Sequence, residues 1–174
     1  MASALTTPVY GAALTTDNRW ALRRRSFSFP LAQLTQALCT SRTLFVTDDA
    51  ERVVQIVIRV DGTAASQGTI QFRIAASGTA ISAGTAIVVD DTAGGTTAAA
   101  EALSGFTSVT NKQLTLTATQ TSLDIPAGGA LGFVIGTADA NNLSHLTITV
   151  VTRIKGVTND AGGMNYTQSN LNTL

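Results

Sequence analysis

From residue 44 to residue 155 the apolar side chains repeatedly fall on every second position, a period that an extended strand with one buried face uses and a helix does not. In VVQIVIRV, Val54, Ile56, Ile58 and Val60 share one side and Gln55 and Arg59 the other, with Asp61-Gly62 following as a turn. TIQFRIA groups Ile70, Phe72 and Ile74 against Gln71 and Arg73. LTLTAT sets Leu114, Leu116 and Ala118 apart from its threonines. LSHLTITVVTRI opposes Leu146, Ile148 and Val150 to His145, Thr147, Thr149 and Arg153. TAIVVD, residues 85–90, is a shorter strand candidate, whereas TTAAAEALSG carries Ala-rich helix propensity with Gly105 as a stop, which predicts a short helix or an ordered loop.

Roughly six to eight short strands separated by turns, with almost no helix, predict an all-β fold. An antiparallel β-sandwich, jelly-roll-like, is favoured over a closed barrel. No strand-helix-strand rhythm supports a parallel nucleotide-binding sheet, and no fixed-period repeat supports a solenoid or propeller. With 174 residues the chain supports one core. Three regions are expected: an N-terminal arm over residues 1–43, the sandwich body over 44–155 and a polar C-terminal tail over 156–174. In the arm, Leu31, Leu34 and Leu38 recur at helical spacing and predict one or two helical turns. The tail is polar and has no period.

Charge is concentrated in one place. Residues 18–29 read NRWALRRRSFSF, and Arg19, Arg23, Arg24 and Arg25 are four of the eleven Lys and Arg residues of a chain whose formal net charge is +0. Trp20, Phe27 and Phe29 interleave with them. Aromatic and Arg side chains supply the strongest contacts of protein interfaces, so these seven residues are the candidate partner-binding set. The competing reading makes RRRSFSFPL the first strand of the sandwich, with Phe27, Phe29 and Leu31 alternating against Ser28 and Pro30 and the arginines solvated. Nucleic-acid binding is disfavoured, because the near-zero net charge leaves no basic groove extending from the patch.

Catalytic and metal chemistry find little to build on. His145 is the only histidine and Cys39 the only cysteine, too few soft ligands for a structural zinc site. Cys39 reads as a small buried hydrophobe. None of the patterns GxSxG, HExxH or GxxxxGK[ST] occurs. The pairs Asp48-Asp49 and Asp90-Asp91 place adjacent carboxylates on opposite sides of a strand, which is no glycosidase couple. Asp90-Asp91 with Gly94 and Gly95 reads as a turn with solvated acids in preference to a calcium loop. No enzyme activity, cofactor or metal is therefore expected. No secretory leader is recognisable, and no apolar run approaches the roughly 20 residues of a membrane helix, so a soluble protein made in the cytoplasm is expected.

In SLDIPAGGALGFVIG, residues 122–136, Leu123 and Ile125 end one strand, Pro126 stops its ladder, Ala127-Gly128-Gly129 turns the chain, and Leu131, Phe133 and Ile135 start the next. This arrangement is similar to one found late in many jelly-roll domains of viral and carbohydrate-binding proteins. Together with the arm, the short Thr/Ala/Gly-rich strands and the tail, the chain resembles the head decoration, or cement, proteins of tailed bacteriophages over about residues 10–155. The resemblance implies a homotrimer on the virion surface, assembled in the host cytoplasm, bound to the phage major capsid protein with the arm reaching across coat subunits. A glycan- or receptor-binding module of a fibre or head surface, and a major coat or tail-tube subunit, are the alternatives.

Overall fold

The computed structural model describes residues 22–30, 34, 38–61, 68–89, 100–103, 106, 109–136 and 145–155. They form ten strands and no α-helix: β1 Leu22–Pro30, β2 Arg42–Val46, β3 Glu51–Asp61, β4 Thr69–Ala75, β5 Thr85–Ala86, β6 Glu101–Ala102, β7 Asn111–Gln113, β8 Asp124–Ile125, β9 Ala130–Gly136 and β10 His145–Ile154. The first sheet runs β1-β10-β3-β7, with β8 also on β3; the second runs β2-β9-β4-β5, with β6 also on β4. Every pair is antiparallel. Since β7 and β8 share one edge of β3, and β5 and β6 one edge of β4, each sheet has four lanes, and the chain alternates between sheets as a jelly roll does. The fold is thus an all-β sandwich.

Alternation along the long strands builds the core. Ile56, Ile58 and Val60 of β3 face Leu146, Ile148 and Val150 of β10 in register, and Phe72, Phe133 and Ile135 answer from the second sheet, all at 0–1% exposure. Each such side chain contributes about 1.5–3 kcal/mol on burial, so a one-residue slip, which would turn a whole row outward, is strongly disfavoured.

The two flanks of the sandwich close differently. On one side the segment after β5 leaves the second sheet and joins the segment after β7: Val88 bridges Leu116, Val89 N donates to Thr115 O at 2.9 Å and Thr117 N to Ile87 O at 2.9 Å. As the chain peels from β4, the buried Gln71 amide takes the place of backbone, donating to Val88 O at 3.3 Å and accepting from Val88 N at 3.1 Å. On the other side β1 and β2 meet only through side chains. Phe27 stacks on Phe45 with centroids 6.0 Å apart and planes 7° apart. Phe29 meets Phe133 edge-on at 5.5 Å.

The turn at residues 126–129 joins β8 to β9. Gly129 N donates to Pro126 O, and Gly128 has φ +72°, the left-handed region that glycine adopts without penalty. Thr47 clamps this turn from the β2–β3 connection: its N–H donates to Gly129 O at 2.9 Å, and its C=O accepts from Gly128 N at 2.7 Å.

Several expectations are corrected. Leu22–Pro30 is a strand of the body, paired along its whole length with β10, so the body begins before residue 44. Val54 points outward at 48% exposure and Val53 inward at 1%, because a bulge opposite Val151 and Thr152 inserts an extra residue. Gln71, expected outside, is buried by its bonds to Val88. Glu101 and Ala102, expected in a helix or loop, pair with Ile70 and Thr69 as β6. In LTLTAT, Thr117 is buried and Ala118 exposed, since that segment follows Ile87–Val89. The helical spacing around Leu31, the Asp90-Asp91 turn and the C-terminal tail lie outside the described residues, as do Arg19 and Trp20.

Candidate functional site

Alternation along β1 puts Arg23, Arg25, Phe27 and Phe29 on its inward face and Arg24, Ser26 and Ser28 on its outward one. At the Phe29 end that inward row meets apolar partners. At the Arg23 end it meets Thr152 of β10 and the first residue of β3, Glu51, whose side chain is 0% exposed. A carboxylate buried in this way needs compensating donors. Arg23 Nη1 donates to Oε1 at 2.7 Å, and Arg25 Nη2 donates to the same oxygen at 2.8 Å. Arg25 Nη1 donates to Oε2 at 2.8 Å, and Thr152 Oγ1 donates there at 2.6 Å. Asp49 holds the far side of Arg23, Nη2 to Oδ2 at 3.0 Å.

Four donors fill the four acceptor sites of one carboxylate. Burial pushes the Glu51 carboxyl up, but the bonds from Arg25 and Thr152, the Arg25 charge and the Arg23 bond outweigh it and hold the group below the ordinary glutamate value. Glu51 is therefore an ionised anchor with no lone pair left for proton transfer or metal ligation. The Arg25 guanidinium also lies 4.2 Å over the Phe45 ring, which ties the anchor to the second sheet, and Arg42 lies 5.4 Å over Phe29.

A second buried carboxylate secures the opposite flank. Glu101 of β6, 1% exposed in its side chain, pairs with Lys112 of β7 across the two sheets, and Lys112 sits 5.0 Å from the Phe106 ring. On the outward face of the first sheet, Asp124 accepts from Arg52 Nε at 2.6 Å and from Lys155 Nζ at 2.6 Å. The Arg52 bond chiefly, with help from Lys155, holds Asp124 below its usual range despite partial burial.

The candidate partner-binding set is thus divided. Arg23, Arg25, Phe27 and Phe29 stabilise the sandwich itself, and Arg24 alone among the described members faces solvent. Of the three arginines of β1, Arg23 and Arg25 neutralise Glu51, and Arg24 is solvated. Sequence reasoning passed over Glu51, Thr152, Glu101 and Lys112. The available signal was a glutamate two positions before Val53 on what becomes an inward row, a place that only a paired charge occupies. His145 sits half-buried on the outward face, hydrogen-bonded through Nε2 to Ser28 Oγ. Cys39 is buried, and burial pushes its thiol up, away from reactivity. Among the described residues no group of three or more His, Cys, Asp and Glu side chains is placed to hold a metal ion.

No protein-family model and no curated protein matches the sequence. Two solved structures resemble the chain in outline. One, described as "Capsid of Ralstonia phage GP4", has a TM-score of 0.45 and 13% identity, covering 76% of this chain and 84% of that one. The other, "Cyanophage Pam1 capsid asymmetric unit", has a TM-score of 0.41 and 13% identity, covering 76% and 83%.

Proposed function

We propose that the chain is a structural virion protein, a decoration or cement protein of a tailed-bacteriophage head that binds the outer capsid surface and stabilises contacts between coat subunits. The observation that carries this reading is the pairing of Leu22 with Arg153. It sets the first and last strands of the body side by side, so residues before 22 and after 155 join the sandwich at one end of one sheet. A jelly roll stiffened by internal charge pairs and joined to its flanking segments at a single end has the geometry of a knob tethered to a shell. Jelly rolls recur in viral capsid domains, an analogy of fold that supports the class.

On this reading the major capsid protein is the partner, the protein acts as a homotrimer, and Arg19, Trp20 and Arg24 contribute contacts that Arg23 and Arg25 do not. No catalytic step is required, because burial of surface against the shell by itself raises the energy needed to rupture it. The test is addition of the purified full-length protein to expanded shells of the virus that encodes it. Saturable, stoichiometric addition with a raised shell melting temperature is expected. Shells that melt unchanged and retain no protein would reject the proposal.

A further inference from the structure

One end of the outward face of the first sheet carries four cations, Arg24, Arg52, Arg153 and Lys155, and the carboxylate of Asp124, which only Arg52 and Lys155 contact. Leu22 on β1 stands opposite Arg153 on β10, Arg153 opposite Arg52 on β3, and Arg52 opposite Asp124 on β8. One step along, Arg24 stands opposite Val151 and therefore diagonal to Arg153, about 7–8 Å away by strand geometry. Asp124 is engaged twice, by Arg52 through Nε and Nη2 at 2.6 and 3.1 Å and by Lys155 at 2.6 Å. Arg24 and Arg153 are exposed and have no hydrogen-bond or ion-pair partner among the described residues.

Like charges directly opposite on a sheet face repel, and an antiparallel pair ordinarily avoids them. Here Arg153 faces Arg52, with Arg24 diagonal, and Asp124 is already shared by Arg52 and Lys155. An external anion would relieve that repulsion. Two exposed apolar side chains border the charges, Leu22 at 42% and Val54 at 48%, the latter pushed outward by the bulge in β3. Nucleic acid would find charge here but no stacking platform, since the aromatic rings among the described residues pack into the sandwich. An arginine fork matches a carboxylate bidentately, and apolar borders suit a polypeptide.

We infer that Arg24, Arg153 and the Arg52–Asp124–Lys155 cluster form a docking surface for an acidic polypeptide segment of a partner protein, with Leu22 and Val54 receiving its apolar side chains. The identity of that partner as capsid protein rests on the proposed function; the surface itself does not.

The test uses the full-length chain and a short fluorescent peptide of glutamates with interspersed leucines, titrated by anisotropy at low and at physiological salt. The double variant Arg24→Gln, Arg153→Gln is expected to bind about tenfold more weakly and with a flatter salt dependence, as loss of steering charge dictates. Arg59→Gln, on the same strand face but away from the cluster, is expected to stay within about twofold of the parent. Because both altered residues are exposed, an unchanged melting curve certifies the fold. Equal peptide affinity in parent and double variant overturns the surface, and so does a single-stranded DNA oligomer that outcompetes the peptide. Shell binding separates the two proposals. If the double variant loses the peptide but adds to cognate shells as well as the parent does, the virion role stands and the partner at this surface is not the shell. If the double variant loses the peptide while the parent never adds to shells, the surface stands and the partner is not the shell.

Discussion

Arg25 and Glu51 meet in a fork, Nη1 to Oε2 and Nη2 to Oε1 at 2.8 Å each, across 26 residues of sequence. The acid is fully buried, while Arg25 is 24% and Arg23 37% exposed in their side chains. Removing either partner is therefore unequal. Glu51→Ala strands the more buried guanidinium and Thr152, and a loss of about 3 kcal/mol is expected, toward the low end for breaking a buried pair because the arginines reach some water. Arg25→Ala leaves Arg23 and Thr152 on the carboxylate and is expected to cost about 2 kcal/mol, part of it from the lost contact with Phe45. Urea unfolding should show lower midpoints at unchanged slope, and the double variant should fall short of the summed losses.

Acid should unfold this protein partly through the same residue. Glu51 is held below its ordinary value in the folded state, so it releases its proton more readily there than in the unfolded chain. Its contribution is complete above the unfolded glutamate value of about 4.3 and is lost as pH falls from there through the depressed folded value. Asp124 shifts in the same direction and adds to the slope. Melting temperatures measured from pH 7 to pH 3 should thus fall steeply below about pH 4.5. In Glu51→Gln the curve should begin lower and decline less. Parallel curves would show that the Glu51 charge contributes nothing to acid sensitivity.

The central strands were legible because their inward rows are purely apolar: Ile56, Ile58 and Val60, or Leu146, Ile148 and Val150, announce a buried face without knowledge of any partner. Strand β1 was ambiguous for the opposite reason. Its inward row begins Arg23, Arg25, and arginines read as inward only once Glu51 is known to wait across the sheet, information held in a register and not in a local pattern. The bulge that exchanges Val53 and Val54 is likewise set by β10. Glu101 was hidden by its Ala-rich neighbours, whose helix propensity loses to pairing with β4 and with Lys112. The row of Arg24, Arg153 and Arg52 draws on three strands distant in sequence, so no linear motif could reveal it.

Gly132 should tolerate no side chain. A Cβ there would lie 2.2 Å from the Arg42 carbonyl oxygen and 2.8 Å from Ile81 Cγ1, at a position where β9 pairs with β2. Backbone cannot yield as a flexible side chain can, so Gly132→Ala is expected to displace β2 and cost about 2–3 kcal/mol. Gly78, with open space around it but φ +80°, offers the contrast: its alanine variant should lose only about 1–2 kcal/mol, the left-handed penalty alone. Hydrogen exchange distinguishes them further. Gly132→Ala should accelerate exchange at the β2–β9 amides, whereas Gly78→Ala should leave that pairing protected.

Truncation tests whether the basic stretch is scaffold or contact. Removing residues 1–21 leaves β1 and every contact of Arg23 and Arg25 described above, so the shortened chain should keep a cooperative melt within about 5 °C of the parent. Removing residues 1–30 strips nine register pairs from β10, takes two of the three donor side chains from Glu51 and uncovers the Phe29 contact on Phe133. No cooperative transition is expected there, since the lost burial and the orphaned acid together approach the total stability of a small domain. Circular dichroism and sedimentation velocity on both chains decide it. A folded 31–174 chain would mean that β1 is dispensable and that its pairing with Glu51 does not hold the sandwich together. A folded 22–174 chain that no longer adds to shells would assign the shell contact to residues 1–21, where Arg19 and Trp20 lie, and would separate that contact from the arginines that serve the fold.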